Sequence, residues 1–455
     1  MSKLTVNVLD FGAVPNTNAL QTDKIQAAID YCYQNGGGEV AVPEGEYLIG
    51  DIRLRSNITF HLLKNAVLKG STNPDDFCNI KYDKFEPVDI DETLVWKSPA
   101  NRTPEYAHLW LYSGLSKWSN GIIRIMNAKN VEIIGEEGSV IDGQNCYNPD
   151  GEEKYRGPHG ISVNGSKNLH FSGYTIEHTG NWAHCIMESC NITVDNVTIL
   201  GGHDGVHFRG CDNAEVKNCV IKTGDDSVAG FDNKNIHVTD CDLSSACNVF
   251  RFGGRDVLIE NCTVTGPCDY PFRGSMTIEE RAARANESKT ARRNTTTFFT
   301  YFIDQTRDMH VRQGNIVIRN CRLKNVDRFL RINLSGIEPW QKGTPPEDIT
   351  FENITADGMA NWINAYGNDE CLFDLTLKNI DYTMREGFEE KSFMMLGCYK
   401  NVNLENVKIH NFNGDTLIKT WGDKNNIHLK DFECDGIDED KFIKQADDVF
   451  DERYI

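Results

Sequence analysis

Between residues 196 and 262 one pattern keeps returning: an apolar–polar–apolar run, then Asn or Asp, then a small or branched residue. Its anchors are Asn196, Asn218, Asp240 and Asn261, spaced 22, 22 and 21 residues apart. A short strand run at a fixed period near 22 marks a solenoid, in which each repeat stacks on its neighbours. Asp204 and the pair Asp225–Asp226 lie 21 and 22 residues apart. In a parallel solenoid of that period they fall on neighbouring coils, roughly 4.8 Å apart along the stack. One strand position therefore builds a cluster of three carboxylates.

A chain of 455 residues could form two or three ordinary domains. A solenoid escapes that estimate because it grows along one axis, so residues 1–455 are expected to form a single domain. The net charge of −20 argues against nucleic acid and membrane surfaces as partners, since both attract basic patches. It leaves a neutral or anionic sugar open. No apolar run has signal-peptide length, and none approaches a membrane span. Several of the 15 cysteines sit at coil spacing, among them Cys190 and Cys211, and Cys219, Cys241 and Cys262. They read as a buried ladder of reduced thiols, which points to a cytoplasmic location. No Cys-x-x-Cys pair or histidine at zinc spacing is present, so no metal is expected.

In chain order, residues 1–40 form an N-terminal cap. Thr22 is placed to N-cap a helix whose apolar face is Ile25, Ala28, Ile29 and Cys32, ended by Asn35 and three glycines. Short strands follow over 52–54, 58–60 and 66–68. The pattern then breaks over 71–120, where Trp96, Tyr106, Trp110, Tyr112 and Trp118 suggest a loop excursion able to wall a sugar site. Further excursions are expected over 144–158 and 263–315, the latter with a basic helix over 276–293. Strands return near 316, 349, 375, 402 and 427. The acidic tail over 431–455 reads as a cap or docking segment.

In the run HDGVHFRG, an inward Val206 and Phe208 leave His207 and Arg209 outside, with Asp204 at the strand's start. TGDDSVAG places Asp225 and Asp226 at the same bend one coil on. Crowded carboxylates repel, which raises the pKa of at least one. The split supplies a proton donor and a base, as glycoside hydrolysis requires. Asp212 and Asp232 read instead as ordinary turn residues.

The opening VLDFGAVPN, with IQAAID and GGGEVAVPEGEYLIG after it, then GSVIDGQ and TGDD, resembles glycoside hydrolase family 28, the polygalacturonase-like enzymes. The resemblance covers residues 5–275. It implies a right-handed parallel β-helix, inversion of configuration by three aspartates, and no cofactor. On matching positions Asp225 takes the role of general acid, and Asp204 and Asp226 the activation of water. The chain also departs from the family. The family's Gly-His-Gly segment aligns with Ala246-Cys247-Asn248, without the histidine. Its Arg-Ile-Lys segment matches Arg273-Gly274-Ser275 best, so an arginine that would bind a uronate carboxylate is kept and the lysine is lost. Arg251 would offer a second cation if Phe250 and Phe252 point inward. His203 and His207 are candidates to orient water or substrate. These residues suggest an exo-acting hydrolase of pectin-derived oligosaccharides. A lyase, epimerase or fructan transferase on the same scaffold is the alternative, as is a non-catalytic carbohydrate-binding solenoid.

Overall fold

A computed structural model describes residues 4–77, 120–303, 312–334, 344–387, 392–414 and 416–448. The fold is the right-handed parallel β-helix. The chain forms two compact units, Met1–Asp225 with Tyr270–Arg292, and Asp226–Asp269 with Arg293–Ile455.

In the first unit each coil carries three strands. One coil holds His159–Asn164, Lys167–Ser172 and Thr175–Glu177, and the next holds His184–Met187, Cys190–Asp195 and Thr198–Leu200. Coils pair in parallel with Ile161 against His184 and His184 against Val206, 23 and 22 residues on. On the second face Leu169, Ile192 and Ala214 stack, and on the third Ile176, Ile199 and Ile221. These side chains are buried, each worth about 1.5–3 kcal/mol where a large aliphatic group leaves water. The first coil is covered by the helix Thr22–Gln34, whose Ile25, Ala28, Ile29 and Cys32 are fully buried as expected. Thr22 does not cap it. The helix begins at Thr22 itself, and the hydroxyl instead accepts the Gly50 N–H at 2.8 Å.

The period comes from the backbone. Asn196, Asn218, Asp240 and Asn261 all sit in the left-handed region, with φ between 53° and 56°. Asn and Asp tolerate that conformation, and each such residue turns the chain from one face to the next. At an equivalent corner of the first unit, Asn57, Asn130, Asn168, Asn191 and Asn213 form a ladder in which each side-chain amide donates to the one before it, over 2.8–3.3 Å.

The second unit uses longer, bent strands. Asn248–Glu260 pairs in parallel with Thr297–Tyr301 through its first half and with Gly314–Arg319 through its second. Its interior is aromatic: Phe250, Phe298, Phe299, Phe329 and Phe351 are fully buried, neighbouring rings lying 4.9–6.5 Å apart.

The excursion expected over 263–315 still contains two coil strands, Thr263–Thr265 and Thr297–Tyr301. The helix expected over 276–293 shrinks to Ile278–Ala282, opened by a Thr277–Glu280 capping box. Arg284 at φ 58° stops it, and Ser288 turns the chain back by donating to Glu280. In the tail, Ile443–Gln445 pairs with Ile418–Thr420 and so continues the coil. Most of the excursion over 71–120, with its five aromatic residues, lies outside the described residues, as do 304–311 and the end of the tail.

Candidate active site

Two glycine-led bends set the carboxylates. Gly201 and Gly202, at φ 70° and 69°, precede His203, Asp204 and the strand Val206–Arg209. A Cβ on Gly202 would lie 2.4 Å from Thr179 Oγ1. One coil on, a Cβ on Gly224 would lie 2.4 Å from the Pro271 carbonyl and 2.7 Å from that of Gly202. Only glycine lets the backbone close up this far just ahead of Asp225. Val206 and Phe208 are fully buried, in keeping with the expected alternation. The outward residues Asp204, His207 and Arg209 are also buried, because neighbouring turns cover them.

His207 Nδ1 lies 2.8 Å from Asp204 Oδ2, and both side chains are at most 6% exposed. The imidazole also stacks on the indole of Trp182, with ring centroids 3.9 Å apart. Asp225 Oδ2 is 3.3 Å from Arg156 Nη2. That arginine comes from the excursion over 144–158. It also donates to Glu153 and, through Nη1 at 3.2 Å, to Asn181 Oδ1. Burial disfavours its charge, but Glu152 and Asp225 outweigh burial and hold it firmly protonated. Consecutive residues Asn181 and Trp182 thus reach, through Arg156 and His207, both carboxylate bends.

His203, next in sequence to Asp204, lies 3.9 Å from Asp225 Oδ2. It is fully buried and packs against Tyr155 at 5.5 Å. Burial, helped by the nearby Arg156 charge, pulls its pKa down to about 3, so the ring is neutral. Its contact with Asp225 is therefore polar packing rather than an ion pair.

Arg273 is 3% exposed, and none of its three guanidinium nitrogens has a hydrogen-bond partner among the described residues. Burial lowers its pKa to about 10, which leaves it charged at neutral pH. Tyr155, Arg281, Cys146 and Arg156 are near enough to act on it electrostatically. Arg281, from the basic stretch 276–293, stacks on Tyr155 at 4.2 Å and donates to the Arg273 and Gly274 carbonyls. A buried guanidinium with its donors unengaged is matched to a planar anion such as a carboxylate.

In the second unit Asp226 Oδ1 accepts from Asn248. Phe250 and Phe252 are buried, and Arg251 emerges between them as expected, its guanidinium 3.6 Å above the Phe302 ring. Asp142, Glu177 and His178 bring possible metal-ligating atoms within 4.8 Å of one another. They are half-exposed, and a hydrogen bond to Asp142 raises the His178 pKa.

The aspartates, histidines and Arg273 were candidates from the sequence. Sequence reasoning missed Arg156, Asn181 and Trp182, which lie in turns without a periodic signal. Arg156, which follows two glutamates and a tyrosine in the run GEEKYRG, carried the only hint.

Residues 32–247 match the family model for glycosyl hydrolases family 28. That segment, just under half of the chain, carries the likeness to family 28. The match contains His203, Asp204, His207, Asp225 and Asp226, and ends one residue before Asn248. A probable polygalacturonase of Vitis vinifera is 28% identical over 237 residues, covering 50% of this chain and 44% of that protein. An exo-poly-alpha-D-galacturonosidase of Dickeya chrysanthemi is 27% identical over 261 residues, covering 49% and 41%. The chain thus spans less than half the length of these curated relatives. A hyperthermoactive exopolygalacturonase from Thermotoga maritima superposes with a TM-score of 0.61 at 18% identity, covering 90% of this chain and 92% of the other, a likeness of fold.

Proposed function

We propose that this chain is an inverting O-glycosyl hydrolase that releases sugar from the end of galacturonide-containing oligosaccharides. The observation that carries the reading is Arg273: a buried cation with unengaged donors in the unit that also holds Asp204 and Asp225. A uronate carboxylate satisfies it, and a neutral sugar does not.

In the proposed reaction Asp225 gives its proton to the glycosidic oxygen as the bond to the anomeric carbon breaks. Asp204 and Asp226 take a proton from the water that attacks that carbon from the opposite face. The incoming oxygen keeps its electron pair in the new bond, and the leaving sugar departs as an alcohol. Arg156, bonded to Asp225, holds its carboxyl in place. Exo action draws support from the two relatives whose names carry it, one by sequence and one by fold.

The test is product analysis on a panel of pectic oligosaccharides, with wild type beside Asp225→Asn. Proton NMR should show the first product with inverted anomeric configuration. Monomer should appear before chain length falls, and Asp225→Asn should lose turnover. Unsaturated products, seen by ultraviolet absorbance, would move the reading to a lyase. Early loss of viscosity in polymer solutions would move it to endo action.

A further inference from the structure

Asp226 is 2% exposed, and its Oδ1 accepts two hydrogen bonds from a single residue. Asn248 supplies both, from its backbone N–H at 3.2 Å and from its side-chain Nδ2 at 2.8 Å. Asn248 Oδ1 in turn accepts the Thr300 hydroxyl at 2.8 Å. All three residues belong to the second unit, and Asn248 and Thr300 are nearly as buried as the carboxylate. The strands that carry them, Asn248–Glu260 and Thr297–Tyr301, pair in parallel, with Asn248 against Thr297. The chain of bonds is therefore built on adjacent coils rather than on a loop.

The direction of these bonds matters. An asparagine amide fits its site in two orientations that differ only in which end carries the oxygen. Were Asn248 turned over, its oxygen would face the Asp226 oxygen, and its NH2 group would face the Thr300 hydroxyl. The ionised carboxylate, which only accepts, selects the orientation in which NH2 meets it, and the Thr300 hydroxyl then donates to the amide oxygen and holds that end. The amide neither gives nor takes a proton in the working pH range. It fixes the carboxylate plane without adding a titration of its own.

We propose that Asn248, keyed by Thr300, is the positioning residue of Asp226. It does this in the segment Ala246-Cys247-Asn248, where the family pattern led to the expectation of a histidine. The inference rests on the reading of Asp226 as one of the carboxylates that activate water. It adds a device that orients that carboxylate, contributed from beyond the segment matching the family.

The experiment compares steady-state kinetics of wild type, Asp226→Asn, Asn248→Ala, Thr300→Val and Thr300→Ser on the best oligogalacturonide, with thermal melting as the folding control. Thr300→Val keeps the shape and removes the donor. It should lower kcat by about 10-fold or more with KM little changed, and Asn248→Ala by on the order of 100-fold. Thr300→Ser restores the hydroxyl and should stay within about threefold of wild type. If Thr300 serves packing alone, Thr300→Ser, which loses the methyl group, should be the variant that shifts melting, and Thr300→Val, which keeps the shape, should leave kcat unchanged. If Asp226→Asn is inactive while Thr300→Val turns over like wild type, the positioning role is wrong and the reading of Asp226 survives. If Asp226→Asn stays active, or wild type hydrolyses no galacturonide, the reading of Asp226 falls and takes this inference with it.

Discussion

Trp182 lies flat on His207, with ring planes inclined by only 3°, while His207 holds Asp204 at 2.8 Å. The imidazole is thus fixed on its face by the indole and on its edge by the carboxylate. On the proposed function, a ring held in this way has the role of orienting Asp204. His207→Gln should lower kcat by about 10- to 100-fold and leave KM within about twofold, the signature of an interaction made in the transition state. Trp182→Ala should act in the same direction. Because both act through one ring, the double variant should fall short of the product of the two losses, with a coupling of about 0.5–3 kcal/mol. Steady-state kinetics on an oligogalacturonide measures this. A raised KM with unchanged kcat in His207→Gln would instead make the histidine a substrate contact.

Arg273 sets function against stability. A buried charge without partners costs folding free energy, and a carboxylate ligand offsets that cost. Arg273→Met should therefore stabilise the unliganded protein by roughly 1–3 kcal/mol, read from chemical denaturation. The same change should lower kcat/KM on galacturonides by about 100-fold, since charge-assisted bonds contribute about 1.5–3 kcal/mol. Discrimination between a galacturonide and its methyl ester should shrink with it. A destabilised Arg273→Met variant with intact discrimination would mean that the guanidinium serves the fold.

The repeat was legible because its physical cause is written in residue identity. Left-handed corners call for Asn or Asp, and buried strands for alternating apolar side chains, so Asn196, Asn218, Asp240 and Asn261 declare both at once. Asp204 and Asp225–Asp226 stood out in the sequence for a related reason, their spacing at the coil period. Arg156, Asn181 and Trp182 follow no period. Their places are set by how one turn packs on another, which a single sequence does not spell out. The basic helix over 276–293 was over-read because Arg and Ala favour helices locally. The left-handed Arg284 and the Ser288–Glu280 bond fold that run back after Ala282. Arg281, within that run, stacks on Tyr155, a contact its charge alone does not announce.

The asparagine ladder makes its own prediction. Asn191 sits at φ 55°, donates to Asn168 at 2.9 Å and accepts from Asn213 at 3.3 Å. Asn191→Ala loses both bonds and forces a Cβ-bearing residue without a polar side chain into the left-handed region, at roughly 1–2 kcal/mol. Asn191→Gly loses the same bonds but none of the steric tolerance, so it should be the milder change. Equilibrium denaturation of the two variants separates the terms. Equal losses would show that the amide bonds, rather than the backbone conformation, account for asparagine at this corner.

Acid should loosen the first unit through a buried histidine to which the proposed reaction gives no role. His184 is fully buried, with Nε2 2.8 Å from the Tyr174 hydroxyl, and burial pulls its pKa from 6.5 down to about 4. Between those two values the unfolded chain carries a proton on this ring and the folded chain does not. Stability therefore rises with pH across the window and falls as pH drops from 6.5 towards 4. The full shift corresponds to on the order of 3 kcal/mol. His203, lowered to about 3, adds a slope of the same sign. His184→Gln keeps a polar partner for Tyr174 and removes the titration. Its denaturation midpoint should vary less than that of wild type between pH 7 and pH 4.5, even if it is lower at neutral pH. Parallel slopes in the two proteins would mean that the ring takes up its proton inside the fold, and that the acid limb belongs to the carboxylates.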